Sequence, residues 1–528
     1  MTQLEYNLLE NKAGQVNEQD IGDFKRKLNG FLDKGKKTLL NRLVVVSNRL
    51  PVTIRKDGDG ELQVKPSSGG LVTALSPVMR NTEGLWIGWP GSTATYLDGH
   101  LTSAGSQLGC TFEKVVLSEK EFNDYYLGFC NQILWPLFHD QPQFCRIDFG
   151  YWQSYSEVNR KFAQTVAQIS KSDDYIWVQD YHLLLLAMKL RSIGVKRQTG
   201  FFLHTPFPSP EIFELLPWRN QILEALLDYD LLGFQAQRDR DNFIQCIEQT
   251  VGGLSYEYRD RLIVVDSDND KTAIGVFPIS IDASEFEMLA MSDTVKSRVK
   301  RIRHDKDNCQ IILGVDRLDY SKGIPLRLQA YRSLLERFKS IHGKIAMVQI
   351  VVPSRDCILE YQNVKSEIEN LVDDINNRFS TGGWVPVQYM YQGLDRSELV
   401  AYYRASDIAL VTPIMDGMNL IAKEYCAANV DNNGILILSE FAGAAVQLED
   451  NALIVNPYDV EEVANSIYHA YCMPAYERTS RMQGLRHSVR RNDIYWWSNR
   501  FLQSALKTSN SNGYNKNKFL SGSAVPQV

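Results

Sequence analysis

Short apolar runs without alternation, each closed by a turn and followed by a segment of helical period, recur in two series along this 528-residue chain. The first series comprises 43–46, 175–182, 199–208, 230–235 and 273–281; the second comprises 309–323, 345–354, 387–393, 408–413 and 434–440. A strand covered on both faces loses the period-two pattern, and such strands belong to parallel sheets flanked by helices. The two series therefore predict an α/β chain of two Rossmann-like, doubly wound domains facing a central cleft. Length agrees, because single cores stop growing at roughly 250–300 residues. The expected organisation is an N-terminal extension over 1–40, a first domain over 41–285, a second over 286–490, a helix over 491–506 packing back on the first domain, and a disordered Ser/Asn/Gly-rich tail over 507–528.

Charge and cysteine usage narrow the ligand classes. Fifty-seven basic and 63 acidic residues leave a net charge of −6, without a sustained Lys/Arg block, which argues against a nucleic-acid partner. An anionic ligand must then be met by a few local cations. The eight cysteines form no C-x-x-C pair and have no histidine at zinc-ligand spacing, so buried thiols in a reducing compartment are expected and no metal site. Neither a secretory leader nor a bilayer-length apolar run is present, giving the expectation of a cytoplasmic protein with no membrane partner.

In open α/β sheets, ligands bind beyond the carboxyl ends of strands, so residues that follow strands are the informative ones. Arg49 follows the first apolar run, and Gly69-Gly70 opens a helix whose free N–H groups suit a phosphate. The full G-x-G-x-x-G pattern is absent, which counts against a nicotinamide dehydrogenase. Trp86, Trp89, Tyr125, Tyr126 and Trp135 lie in predicted loops of the first domain, where rings could stack on sugar faces. Asp180 and His204 follow two further strands; Pro206 and Pro208 hold the chain rigidly after His204, and His182 is a competing histidine. In the second domain, "GVDRLDYSKG" places Arg317 and Lys322 in one strand-to-helix loop, and Arg355 follows the next strand. Arg is a fork of donors and Lys a point charge, a combination suited to a diphosphate. In "IMDGMNLIAKEY", Asp416 and Gly417 precede a helix expected to start near Asn419; the N–H groups of Met418, Asn419 and Leu420 would be free, with Glu424 in the second turn. Two acids beside a diphosphate would repel it, so their useful work is to accept hydrogen bonds from sugar hydroxyls.

Taken together, "VVVSNRLP", "GGL", "GFFLHTPFPSPEIF", "RLDYSKG", "DGMNLIAKEY" and "LSEFAGAA" resemble the trehalose-6-phosphate synthases, retaining glycosyltransferases of GT-B fold, from Arg42 to Leu506. The resemblance implies transfer of glucose from a nucleotide sugar, UDP-glucose foremost, to glucose 6-phosphate, with no tightly bound cofactor and a divalent cation stimulatory at most. It implies acceptor contacts at Arg49, Trp89, Tyr126, Trp135 and Arg355. Donor contacts would come from Gly70, Asp180, His204, Arg317, Lys322, Asp416, Gly417, Met418, Asn419, Leu420 and Glu424, with Asp180, His204, Arg317, Lys322 and Asp416 nearest the chemistry. A glucosylglycerol-phosphate synthase and a non-catalytic regulatory subunit are the alternatives, and a homo-oligomer is left open.

Overall fold

The computed structural model describes residues 42–56, 62–66, 75, 79, 84–92, 98–259, 261–267, 270–306, 309–355 and 357–511. The extension, Gly69-Gly70 and the segment after 511 lie outside the described residues.

The first sheet contains β1 (Arg42–Arg49), then, beyond a separate hairpin of β2 (Val52–Lys56) and β3 (Leu62–Pro66), β4 (Leu85–Trp89), β5 (Thr111–Lys114), β6 (Asp174–Gln179), β7 (Gln198–Phe202), β8 (Leu231–Phe234), β9 (Leu254–Arg259), β10 (Leu262–Ser267) and β11 (Asp270–Val276). Its order is β5-β4-β1-β6-β7-β8-β11-β10-β9, parallel from β5 to β11. The second sheet, all parallel, has the order β14-β13-β12-β15-β16-β17, from β12 (Gln310–Arg317), β13 (Ile345–Val352), β14 (Val387–Tyr391), β15 (Ile408–Val411), β16 (Ile435–Ser439) and β17 (Leu453–Val455). Helices cover these sheets, which is why Val44, Ile176, Leu232, Ile312, Ile408 and Ile437 are buried without alternation. Each such side chain contributes about 1.5–3 kcal/mol of burial free energy.

The connections reverse direction at β1/β6 and at β12/β15, so each sheet has a topological switch point, the place where a crevice opens beyond the strand ends. β1 and β12 share one burial pattern, six buried residues followed by an exposed arginine, Arg49 and Arg317 respectively.

Several expectations are corrected. β11 falls within the expected run 273–281, but β9, polar and half-exposed, and β10, a short apolar run, were not foreseen as an antiparallel edge. Between β7 and β8 the chain forms two helices, Pro210–Phe213 and Arg219–Leu226, parted at Pro217, which cannot donate within a continuous helix. Trp86 and Trp89 lie on β4, Tyr125 and Tyr126 on a wide π-helix (Phe122–Leu134), and Trp135 opens the helix Trp135–Phe138, so these aromatics sit on regular elements and not in loops. Of the cysteines, Cys357 and Cys472 are exposed. The last helix, Ile494–Ser511, runs five residues past 506; its Trp497 and Phe501 stack on Trp177 of β6 with centroids 5.1 and 4.4 Å apart. Among the described residues, no helix is long and apolar enough to cross a membrane.

Candidate functional site

Residues from both switch points meet in one cleft. Lys322 ends a short turn, Tyr320–Lys322, that follows β12; Asp319 caps this turn by accepting from the Ser321 N–H at 3.0 Å. Gly323 closes it at φ +64°, a left-handed conformation that only glycine adopts without cost, and so lets the helix Ile324–Arg337 begin at once. Lys322 Nζ donates to Asp416 Oδ2 at 2.6 Å, with the two side chains 10% and 14% exposed. Asp416 also accepts from the Met418 N–H at 3.4 Å and Asn419 Nδ2 at 3.1 Å. Burial raises the Asp416 carboxyl pKa, but the Lys322 charge and hydrogen bond outweigh it and hold the group below its ordinary value.

The helix after Asp416 spans Leu420–Ala428, with Asn419 as its N-cap at φ +67° and no side-chain cap. No side chain caps its first N–H groups, whereas the Met418 N–H, expected to be free, donates to Asp416. Asn419 Oδ1 is buried and unpartnered at the same point. Glu424, in the second turn, accepts from the Tyr403 hydroxyl at 2.7 Å; burial raises its pKa while Tyr403 and Arg396 oppose the rise. Gly417 touches the opposite half of the molecule: a Cβ there would lie 2.0 Å from the His204 carbonyl oxygen and 3.1 Å from the Thr205 carbonyl carbon.

Trp135, from the first half, carries cations from the second. Arg355 Cζ lies 4.2 Å and Arg317 Cζ 5.6 Å from its ring centroid, and the indole N–H donates to Asp319 Oδ1 at 3.4 Å. Arg355 further donates to the Tyr181 hydroxyl at 3.4 Å and to the Tyr361 hydroxyl, and stands 3.5 Å from Asp319. Arg49 lies 5.4 Å over Trp89, which packs on Tyr126 at 6.3 Å.

Asp180 and His204 follow the carboxyl ends of β6 and β7. The His204 N–H donates to Asp180 Oδ1 at 3.1 Å, and its Nε2 is 3.0 Å from Gln179 Oε1. Burial pushes His204 down to about 3, so the ring is neutral. Burial pushes Asp180 up to about 6, against the N–H groups of Tyr181, His204 and Thr205 and the Arg317 charge. His182, the competing histidine, stacks on Tyr126 and packs at a tilt on Tyr181, with centroids 5.9 and 4.0 Å apart, and is held at about 3 by burial and by Arg355.

Backbone strain gathers here. Among the described residues, non-glycine residues with positive φ are Asp140, Asp180, Arg355, Asn419 and Asn432. Three of the five are sequence-singled cleft residues, and Asp180 at φ 72°, ψ 167° occupies a region nearly reserved for glycine. Such strain costs about 1–3 kcal/mol per residue and persists where the surroundings over-determine the conformation.

The sequence reading noted Asp319 without giving it a role, and missed Tyr181, Tyr361, Gln179 and Tyr403. Asp319 left a signal, an acid flanked by Arg317 and Lys322 at a strand end. The tyrosines left none, because their hydroxyls find the site only through helix packing. Among the described residues, no group of three His, Cys, Asp or Glu side chains is arranged to hold a metal ion.

The sequence profile of Glycosyltransferase family 20 matches residues 41–507. The UDP-forming alpha,alpha-trehalose-phosphate synthase A of Dictyostelium discoideum is 40% identical over 474 residues, 89% of this chain, and the chain spans 63% of that relative's length. An E. coli trehalose-6-phosphate structure bound with UDP-2-fluoro glucose matches with a TM-score of 0.79 at 38% identity, covering 88% of this chain and 98% of that one. A UDP-forming alpha,alpha-trehalose-phosphate synthase from Burkholderia xenovorans, solved in complex with glucose-6-phosphate, matches with a TM-score of 0.79 at 33% identity, covering 88% and 100%.

Proposed function

The chain belongs to glycosyltransferase family 20, its two doubly wound sheets forming a GT-B enzyme, and on that premise we propose that it moves glucose from UDP-glucose to glucose 6-phosphate with retention, giving α,α-trehalose 6-phosphate and UDP. One observation carries this reading: cations from separate loops, Arg317 and Arg355, lie over the single Trp135 ring, with Lys322 on one side of the cleft and Arg49 on the other. A leaving diphosphate and an acceptor phosphate thus each have their own positive charge a short distance apart. Phosphorylated substrates of this kind also favour a cytoplasmic location.

In this reading Arg317, Lys322 and the N–H groups of Asn419 and Leu420 receive the diphosphate, and Glu424 the ribose hydroxyls. Gly70 would join them, and Arg49, Arg355, Trp89, Tyr126 and Trp135 hold the sugar phosphate. Asp180, His204 and Asp416 surround the transferred glucose. Asp416 is tied to Lys322, and Asp180 receives a backbone N–H, so both carboxylates suit hydroxyl recognition better than covalent attack. The acceptor hydroxyl then attacks on the face the diphosphate leaves, through an oxocarbenium-like state, and a leaving phosphate oxygen takes its proton. The protein's part is positioning and electrostatic stabilisation.

Product identification tests this directly. Purified protein incubated with UDP-glucose and either glucose 6-phosphate or glycerol 3-phosphate should release UDP and form a disaccharide phosphate, read by mass, only with the former. Release with glycerol 3-phosphate alone would assign the glucosylglycerol-phosphate reaction.

A pH profile tests the role of Asp180. As a hydroxyl acceptor it must be ionised, and its pKa of about 6 makes kcat/KM for UDP-glucose fall on the acid side of that value. The slope should approach about tenfold per pH unit. Asp180→Asn should be slow and lack this limb; an unchanged limb would assign it to another group.

A further inference from the structure

His139 ends the helix Trp135–Phe138 and is 1% exposed. Its Nδ1 lies 2.7 Å from the Trp135 carbonyl oxygen. A carbonyl only accepts, so Nδ1 carries the proton and Nε2 the lone pair. The imidazole centroid is 4.0 Å from that of the Trp135 ring, at an interplanar angle of 32°. One residue thus binds the backbone of Trp135 and packs on its indole.

The indole is the shared support of Arg355 and Arg317, and its N–H reaches Asp319. Charges from Asp319, Lys322 and Asp416 all act on the His139 ring, which places it beside the cleft's ionic groups. Burial pushes the imidazole down to about 4, with Lys322 assisting and Asp319 and Asp416 opposing. A neutral ring adds no third cation to an indole already carrying two guanidinium groups, which an imidazolium would repel.

We propose that His139 is a positioning residue for the transfer: by fixing the Trp135 indole it keeps Arg317 and Arg355 at one spacing, so that both substrates depend on it. This rests on the glucosyl-transfer reading above. A residue that only fills space would be replaced well by Phe and poorly by the smaller Asn. A residue that works through its Nδ1–H would be replaced better by Asn, whose amide can donate to the same carbonyl.

The test compares His139→Phe and His139→Asn in the full-length enzyme. In the Phe variant, kcat/KM should fall about 10- to 100-fold for UDP-glucose and for glucose 6-phosphate alike, the scale of a misplaced positioning group. The Asn variant should recover to within about threefold of wild type. A Phe variant matching wild type, a loss confined to one substrate, or an Asn variant no better than Phe would overturn the proposal. Should the Phe variant not fold, 15N spectra of histidine-labelled wild-type protein, assigned with the Asn variant, decide. A neutral, Nδ1-protonated His139 at pH 7 supports the proposal, and an imidazolium or Nε2–H tautomer overturns it. The tautomer is read without substrate, so failure here is separable from failure of the transfer reading, which would show as inactive wild-type enzyme.

Discussion

Lys322→Ala is expected to lower kcat by about 10²–10³, the scale for deleting one preorganised donor to a developing charge. The structure adds a second consequence. Lys322 and Asp416 form a shielded pair at 2.6 Å, so removing the ammonium leaves a carboxylate with only the Met418 N–H and the Asn419 amide as donors. Breaking such a pair costs on the order of 3–5 kcal/mol when the remaining charge cannot be neutralised. Asp416 has a depressed pKa in the folded enzyme, so its stabilising contribution is present above its unfolded value near 3.8 and is lost as pH falls through the lower, folded value. The stability gap between wild type and Lys322→Ala should accordingly be widest near neutral pH and narrow in acid, as read by denaturant unfolding. Adding Asp416→Asn should restore much of the stability and none of the turnover. Recovery of turnover in the double variant would show that Lys322 acts only by neutralising Asp416.

Gly417→Ala is expected to lower kcat by about 10² with modest change in stability. An added methyl would lie 2.0 Å from the His204 carbonyl oxygen, with backbone and no flexible side chain to yield. Relief requires the two halves to part by roughly 1 Å, a misplacement that costs on the order of 10²-fold in rate. Overpacking of this kind costs about 1–3 kcal/mol where it is absorbed in a core, and less where a cleft can open. Single-turnover rates with saturating substrates separate the outcomes: a raised KM with unchanged kcat would place the Gly417 contact outside the rate-determining geometry.

The two predictions draw on different kinds of information. Arg317, Lys322 and Asp416 were legible because each follows an apolar run, and strand ends in doubly wound sheets are where ligands bind. The pairing of Lys322 with Asp416 across 94 residues was not legible, since charge alone does not reveal which partner a loop will meet. Glu424 shows the same limit: its position in the helix was evident, while its hydroxyl partner Tyr403 comes from a different helix. The aromatics were noticed for their density, but their assignment to loops failed. Buried Trp89 and Trp135 occupy a strand and a helix because only regular elements satisfy the backbone around rings so deeply enclosed.

By itself the sequence determined that this chain forms two mainly parallel sheets, which strand ends carry cations and acids, and where a helix without a side-chain cap begins. Those properties depend on residues close together in the chain, through hydrophobic period, proline and glycine placement, and charge. Only the tertiary structure decided that Trp135 of one half supports Arg317 and Arg355 of the other, that Gly417 meets the His204 backbone, and that Asp180 holds a glycine-like conformation. Contacts between residues hundreds of positions apart, and strain held by the surrounding packing, arise when two sheets close on one cleft; no local pattern encodes them.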